Sequence, residues 1–204
     1  MDLINGLNGG DLEALRDSTD LRYAYQHRAE SHLTFRGIWQ CDQYRNGKLI
    51  SGGYPELPNT FTTEGMAYLL NIIFHDISKL ASEIWYVGIY KNNVTPAVGN
   101  TAAVHLGAAG TYGSCQDADF DLPLTNNPGF ETADTATADI SNTASKASFT
   151  MAATITIYGA YLTTIQAKTG TSGKLMCAKK LTASRAVVDD DVLYIDYGVQ
   201  CSTS

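Results

Sequence analysis

The clearest periodicity in the chain lies in residues 62–90, TTEGMAYLLNIIFHDISKLASEIWYVGIY. Met66, Leu69, Leu70, Ile73 and Phe74 fall at i, i+3, i+4, i+7 and i+8, the apolar stripe of an α-helix. Thr62 or Thr63 can cap its start by accepting a backbone N–H, and Glu64 suits the positive end of the helix dipole. The spacing predicts a helix over about residues 62–76. Residues 84–90 are then apolar on both alternating faces, with Ile84, Tyr86 and Tyr90 on one and Trp85, Val87 and Ile89 on the other. A strand without a polar face is covered on both sides, so this is expected to be the central strand of a β domain. The helix is laid against it or leads into it. Gly88 in its middle predicts a bulge or a close backbone approach.

Elsewhere the period is two. Residues 33–53 read as a β-hairpin: LTFRGIWQCDQYR is rich in aromatic and β-branched residues, Asn46-Gly47 accepts positive φ at both turn positions, and KLI returns. Pro55 and Pro58 mark a loop into the helix. Residues 95–114, rich in Gly and Ala, predict irregular structure. Asp117, Asp119 and Asp121 alternate with Ala118, Phe120 and Leu122, as on a half-exposed strand. Residues 131–147 form a low-complexity Thr/Ala/Asp loop. Phe149, Met151, Ala153, Ile155 and Ile157 alternate with Ser148, Thr150, Thr154 and Thr156, with a bend allowed at Gly159. Residues 174–181 predict a further strand. Leu193, Ile195, Tyr197, Val199 and Cys201 are expected inward, against Tyr194, Asp196 and Gln200. Several short strands separated by turns predict a mainly β fold over residues 33–204, an antiparallel β-sandwich or jelly-roll with one α-helix.

Residues 1–32 read differently. Leu12 and Leu15 share one side of one or two helical turns, and Leu21, Tyr23 and Tyr25 alternate as in a short strand. Arg16, Arg22 and Arg28 are interleaved with Asp17, Asp20 and Glu30. Such a segment buries little by itself. It reads as an extended N-terminal arm, either disordered or docked on a partner, with Leu12, Leu15, Arg16, Leu21, Arg22, Tyr23, Tyr25 and Arg28 as candidate partner-binding residues.

Composition narrows the function classes. Of 204 residues, 44% are hydrophobic and 17% charged, with a net charge of −7. Charged residues usually reach about a quarter, and sparse surface charge suits sheet proteins and proteins buried in assemblies. No Lys or Arg lies between Asn92 and Ser145, which argues against nucleic acid as a partner. No run is long and apolar enough to span a bilayer, so no membrane is expected. The N-terminal MDLINGLNGGDLEAL lacks the apolar core of a secretory signal, which predicts synthesis in a reducing cytoplasm. Cys41, Cys115, Cys177 and Cys201 are far apart, without a CxxC pair, and are expected to be buried free thiols.

Catalytic spacings are missing from the sequence: no GxSxG, HExxH or GxGxxG occurs. Gly173-Lys174 is followed by Leu175, where a phosphate loop needs a hydroxyl. Asp117, Asp119 and Asp121 have the D-x-D-x-D look of a calcium loop. Leu122 stands at the sixth position, where Gly makes the turn, and Pro128 at the twelfth, where Glu binds, so a solvated strand face is expected. Asp189-Asp190-Asp191 reads as a charged loop that could pair with a neighbour's Arg. His27, His32, His75 and His105 have no second ligand at a useful spacing. Trp39, on the hairpin, is the more open of the two tryptophans and could serve a sugar-binding platform; Trp85 belongs to the core. No enzyme, catalytic residue, metal or cofactor is predicted.

From residue 33 onward, the hairpin FRGIWQCDQYRNGKLI, the helix PNTFTTEGMAYLLNIIF, the strand WYVGIYKNN, the pair ATITIYGAYLTT and the closing SRAVVDDDVLYIDYGV occur in an order and spacing that resemble a family of small virion structural proteins of tailed bacteriophages. The resemblance implies a non-enzymatic structural protein, first a capsid decoration (cement) protein and otherwise a tail, collar or fibre component. It implies the major capsid protein or other virion proteins as partners, a dimer or trimer, and a place in the virion after assembly in the host cytoplasm. The arm lies outside the resemblance and would order on assembly. A host-glycan-binding adhesin is the alternative from another class.

Overall fold

The computed structural model describes residues 33–56, 58–75 and 85–203. The chain divides into two units, Phe35–Cys201 and Met1–Thr34 with Ser202–Ser204; the first is described here. The expected arm, with all eight of its candidate partner-binding residues, lies outside the described residues.

The unit is mainly β, as the alternation predicts. In chain order its elements are β1 (Leu33–Arg45), β2 (Lys48–Ser51), β3 (Thr60–Phe61), α1 (Thr63–Phe74), β4 (Tyr86–Tyr90), the single-turn α2 (Ala102–His105), β5 (Phe120–Leu122), β6 (Asp139–Ser141), a 3₁₀ turn (Thr143–Ser145), β7 (Ala147–Met151), β8 (Ile155–Thr163), β9 (Leu175–Val187) and β10 (Val192–Thr203). One sheet has the order β2-β1-β10-β7-β5, with β6 also on β10; the other runs β3-β9-β8-β4. The hairpin β1–β2 turns at Asn46 and Gly47, with φ of 49° and 74°, as the dipeptide requires.

The two sheets share one core. Trp39, Phe149, Leu193, Ile195 and Tyr197 come from the larger sheet, and Val87, Ile89, Ile157, Leu162 and Cys177 from the smaller. Leu193 lies opposite Phe149 and Ile195 opposite Ala147, so the inward set of β10 meets the inward set of β7. A second cluster joins Tyr90, Leu106, Tyr112, Tyr161 and Leu175. The alternation of residues 149–157 does not form one strand. It is cut at residues 152–154, leaving Phe149 and Met151 in one sheet and Ile157 in the other. Both segments point apolar side chains at the same interior, so the pattern runs on across the change of sheet.

The strand of residues 86–90 is terminal rather than central in its sheet. It is nonetheless buried, because loops cover its free edge: Cys115 N–H donates to Ile89 O at 2.9 Å and Val87 N–H to Pro128 O at 2.9 Å. A sequence with two apolar faces reports coverage, and here part of the coverage is irregular chain. Gly88 marks a close approach, since a Cβ there would overlap the Tyr161 ring.

Two buried cations tie loops to the sandwich. Arg185 on β9 is 0% exposed; its Nη2 donates to Cys41 O at 3.0 Å and reaches Glu56 at 3.4 Å. Glu56 in turn accepts from Thr182 N–H at 2.7 Å. Buried Lys168 donates to Phe120 O at 2.9 Å and Leu124 O at 3.1 Å, with its ammonium 3.9 Å from the Phe120 ring centre. A buried charge is tolerable only when its hydrogen-bonding capacity is met in this way.

Candidate functional site

Helix α1 is held at its start. Thr62 is the N-cap, its hydroxyl accepting from Gly65 N–H at 3.0 Å and donating to Leu175 O. Its own N–H donates to Met176 O at 2.9 Å. Glu64 accepts from Leu175 N–H at 2.9 Å and from Ala102 N–H at 2.8 Å, joining the helix to β9 and to α2. Gly65 is the one fully buried residue of the helix. A Cβ on it would lie 2.6 Å from Met176 O and 2.7 Å from Leu175 O. The first turn therefore rests directly on the backbone of β9, which only a glycine permits.

This contact sets the helix's rotation. With Gly65 on the sheet, Leu69 and Ile72 follow at i+4 and i+7, and Tyr68 meets Trp85 edge-to-face at 5.8 Å. The stripe read from the sequence is turned away by roughly a third of a turn. Of its five members only Leu69 packs against the core. Leu70 is 50%, Ile73 55% and Phe74 79% exposed. The helix expected to lie against the strand of residues 84–90, or to lead into it, rests on β9 instead, by a face other than that stripe. The signal that could have located that face is Gly65 in phase with Leu69 and Ile72. The bare face carries no charged residue, since Glu64 points to β9. Contiguous exposed apolar surface of this kind marks interaction sites.

The acidic stretches are the second place where the structure revises the sequence reading. Only residues 120–122 of the first form strand, with residues 117–119 in a turn. Both carboxylate oxygens of buried Asp119 accept from Lys91 Nζ at 2.8 Å. Asp117 pairs with Lys168 at 3.0 Å. Lysine ammoniums stand where a calcium loop would hold its ion. Among the described residues no group of three or more His, Cys, Asp or Glu is placed to hold a metal.

In the second stretch, the middle of the triplet is exposed and its last member is not. Asp191 is 0% exposed and accepts from Arg45 Nε and Nη2, both at 2.7 Å, from Gln43 Nε2 at 2.8 Å and from Val188 N–H at 3.0 Å. Its arginine partner is on β1 of the same chain. The Arg45 hydrogen bonds, supported by Val188 and Gln43 and opposed by burial, hold its carboxyl at about 2. The corner between β9 and β10 is thereby fixed to the end of the β1–β2 hairpin.

Trp39, the buried thiols and His105 are engaged within the fold. Trp39 is 1% exposed and stacked on Tyr197, with ring centres 4.1 Å apart; the hairpin's inward face buries it, so it is not the open tryptophan that could serve a sugar platform. Cys41, Cys115, Cys177 and Cys201 are free, and the first three are buried. Burial pushes the Cys41 and Cys177 thiols up to about 12, far from the thiolate form. His105 is engaged with Asn100, at 2.7 Å, and with the Thr101 backbone. His75 is the C-cap of α1. His27 and His32 lie outside the described residues. No family model, curated protein or solved structure matches the chain.

Proposed function

We propose that the chain is a non-enzymatic structural protein of a bacteriophage virion, a capsid decoration or cement protein that seats on a neighbouring shell subunit through the bare face of α1. The observation that carries this reading is the apolar, uncharged face of Leu70, Ile73 and Phe74 on a helix whose start is rigidly anchored. Interface cores are depleted of charge in the same way. Covering each of these side chains is worth about 1–2 kcal/mol. The order of hairpin, helix and strands that resembles small virion proteins supplies the setting. A cemented shell needs a module that does not deform, and the shared core with its internally paired Arg185, Lys168 and Asp191 supplies one.

The test is copy number in purified virions encoding the chain, by quantitative mass spectrometry against the major shell protein. A ratio near that of the shell subunit supports decoration. A ratio lower by an order of magnitude or two assigns the chain to tail, collar or fibre, which occupy one axis. Absence from the particle removes the virion reading. Carrying Phe74→Ser through the same measurement assigns the face: unchanged incorporation would show that α1 is not the seat. Sedimentation of the isolated chain decides whether a second copy occupies it instead.

A further inference from the structure

The outer surface of the larger sheet carries a cleft that the helix face does not explain. It lies between the β1–β2 turn and the β9–β10 corner, has a volume of about 490 Å³, and is lined by Tyr44, Asn46, Gly47, Asp190, Val192 and Tyr194. Clefts for small molecules span ~300–1,000 Å³. Tyr44 and Tyr194 point outward from neighbouring strands because their sequence neighbours Gln43 and Leu193 point inward. Their rings meet at 86° with centres 5.5 Å apart, forming a two-walled aromatic corner. Asn46 and Asp190 stand at the tips of the flanking turns with φ of 49° and 64°. Asn46 offers an amide and Asp190 a carboxylate, and both lie exposed at the cleft rather than in the core.

The walls are held in place from below. Asp191, next to Asp190, is clasped by Arg45 and Gln43, next to Tyr44. Both sides of the cleft are therefore joined by one buried carboxylate, and binding does not have to order them. The lining also selects the ligand class. Asp190 lines the cleft and Asp189 is exposed beside it, while Arg45 is already in a fork with Asp191 and Lys48, next to Gly47, is not among the lining residues. An anion is disfavoured in such a place. A purely apolar ligand would leave Asn46 and Asp190 dry and unpaired. A ring with apolar C–H faces and a rim of hydroxyls suits this lining: its face can lie on a tyrosine, and its hydroxyls can pair with the amide and the carboxylate.

We propose that this cleft binds a neutral pyranose, stacked on Tyr194 and hydrogen-bonded by Asp190 and Asn46. The proposal stands apart from the virion reading, since a copy-number result does not bear on it. It relocates the aromatic platform from Trp39, which is buried, to the outer face of the same sheet. The test is titration of the full chain, isotopically labelled, with maltose, cellobiose, lactose and chitobiose, and with sialyllactose as the anionic probe, followed by amide NMR. At least one neutral probe is expected to shift the amides of Asn46, Gly47, Asp190 and Val192 selectively, and sialyllactose to bind more weakly than lactose. Tyr194→Ala should weaken the binding about tenfold or more, and Asp190→Asn several-fold, with the amide spectrum otherwise that of the native fold. Because the shift map uses the unsubstituted chain, a folding defect in either variant leaves the test intact. No neutral probe binding at millimolar concentration, shifts mapping outside the cleft, or affinity unchanged by Tyr194→Ala would each overturn the proposal.

Discussion

Helix α1 and the corner at residues 188–191 are both attachment points, and they work in opposite ways. The helix is fixed through its first turn by backbone contact: Thr62, Glu64 and Gly65 lock onto Leu175 and Met176, and the two later turns leave apolar side chains in water. The corner is fixed by one ionised side chain. Asp191 gathers four donors from three places in the sequence, and its neighbours Asp189 and Asp190 remain in solvent. The helix keeps Leu70, Ile73 and Phe74 outside and the corner takes a charge inside. The difference teaches that surface and core here are set by what can be fully satisfied rather than by residue class. A glycine fits where no side chain can, and a carboxylate fits where four donors converge.

Substitutions can break or sharpen this contrast, and the largest effect belongs to the corner. Asp191→Ala removes the acceptor of Gln43, Val188 and Arg45 together. It should cost about 2–3 kcal/mol, below the full cost of breaking a buried pair because Arg45 can turn to water. Asp189→Ala, two residues away and exposed, should stay within about 0.5 kcal/mol. Urea unfolding of both variants checks the pair, and equal losses would refute the assignment. Gly65→Ala comes next. Its methyl group must displace the helix start from Met176, at a cost of about 1–3 kcal/mol, read as a lowered midpoint in the same assay.

Acid should reveal the corner more gently. The carboxyl of Asp191 is depressed from 3.8 to about 2 in the folded chain. A folded value below the unfolded one means that the stabilisation is complete above about pH 4 and is lost as the pH falls towards 2. The native chain should lose stability over that window, and Asp191→Asn should lose less of it, which thermal unfolding as a function of pH measures. The smallest effect on stability belongs to the helix face: Ile73→Ser and Phe74→Ser should each change unfolding by less than about 0.5 kcal/mol. Under the proposed function their effect is on association, measured by incorporation into particles.

Much of the fold was legible because alternation of period two reports which residues point to the interior. Leu193, Ile195 and Tyr197 lie inward as spaced, and Asn46-Gly47 makes its turn. What alternation cannot report is which sheet a strand joins, so residues 149–157 read as one strand when two sheets divide them. Nor does it report sheet position: residues 86–90 look central because loops cover their edge. The helix was legible in extent and cap but not in orientation. A hydrophobic stripe measures apolarity, while the docked face was chosen by the absence of a Cβ at Gly65. The site residues were least legible. Asp191 looked like one of three equivalent aspartates, and Tyr44 and Tyr194, 150 positions apart, meet only through the pairing of β1 with β10.

The lysines of the first acidic stretch have a consequence for the medium in which the chain can live. Asp117 and Asp119 are neutralised by Lys168 and Lys91, which are covalently part of the molecule and cannot be diluted away or chelated. A segment built on calcium would loosen wherever the ion ran short. This one carries its counter-charges with it, so a chelator is expected to leave its shape unchanged.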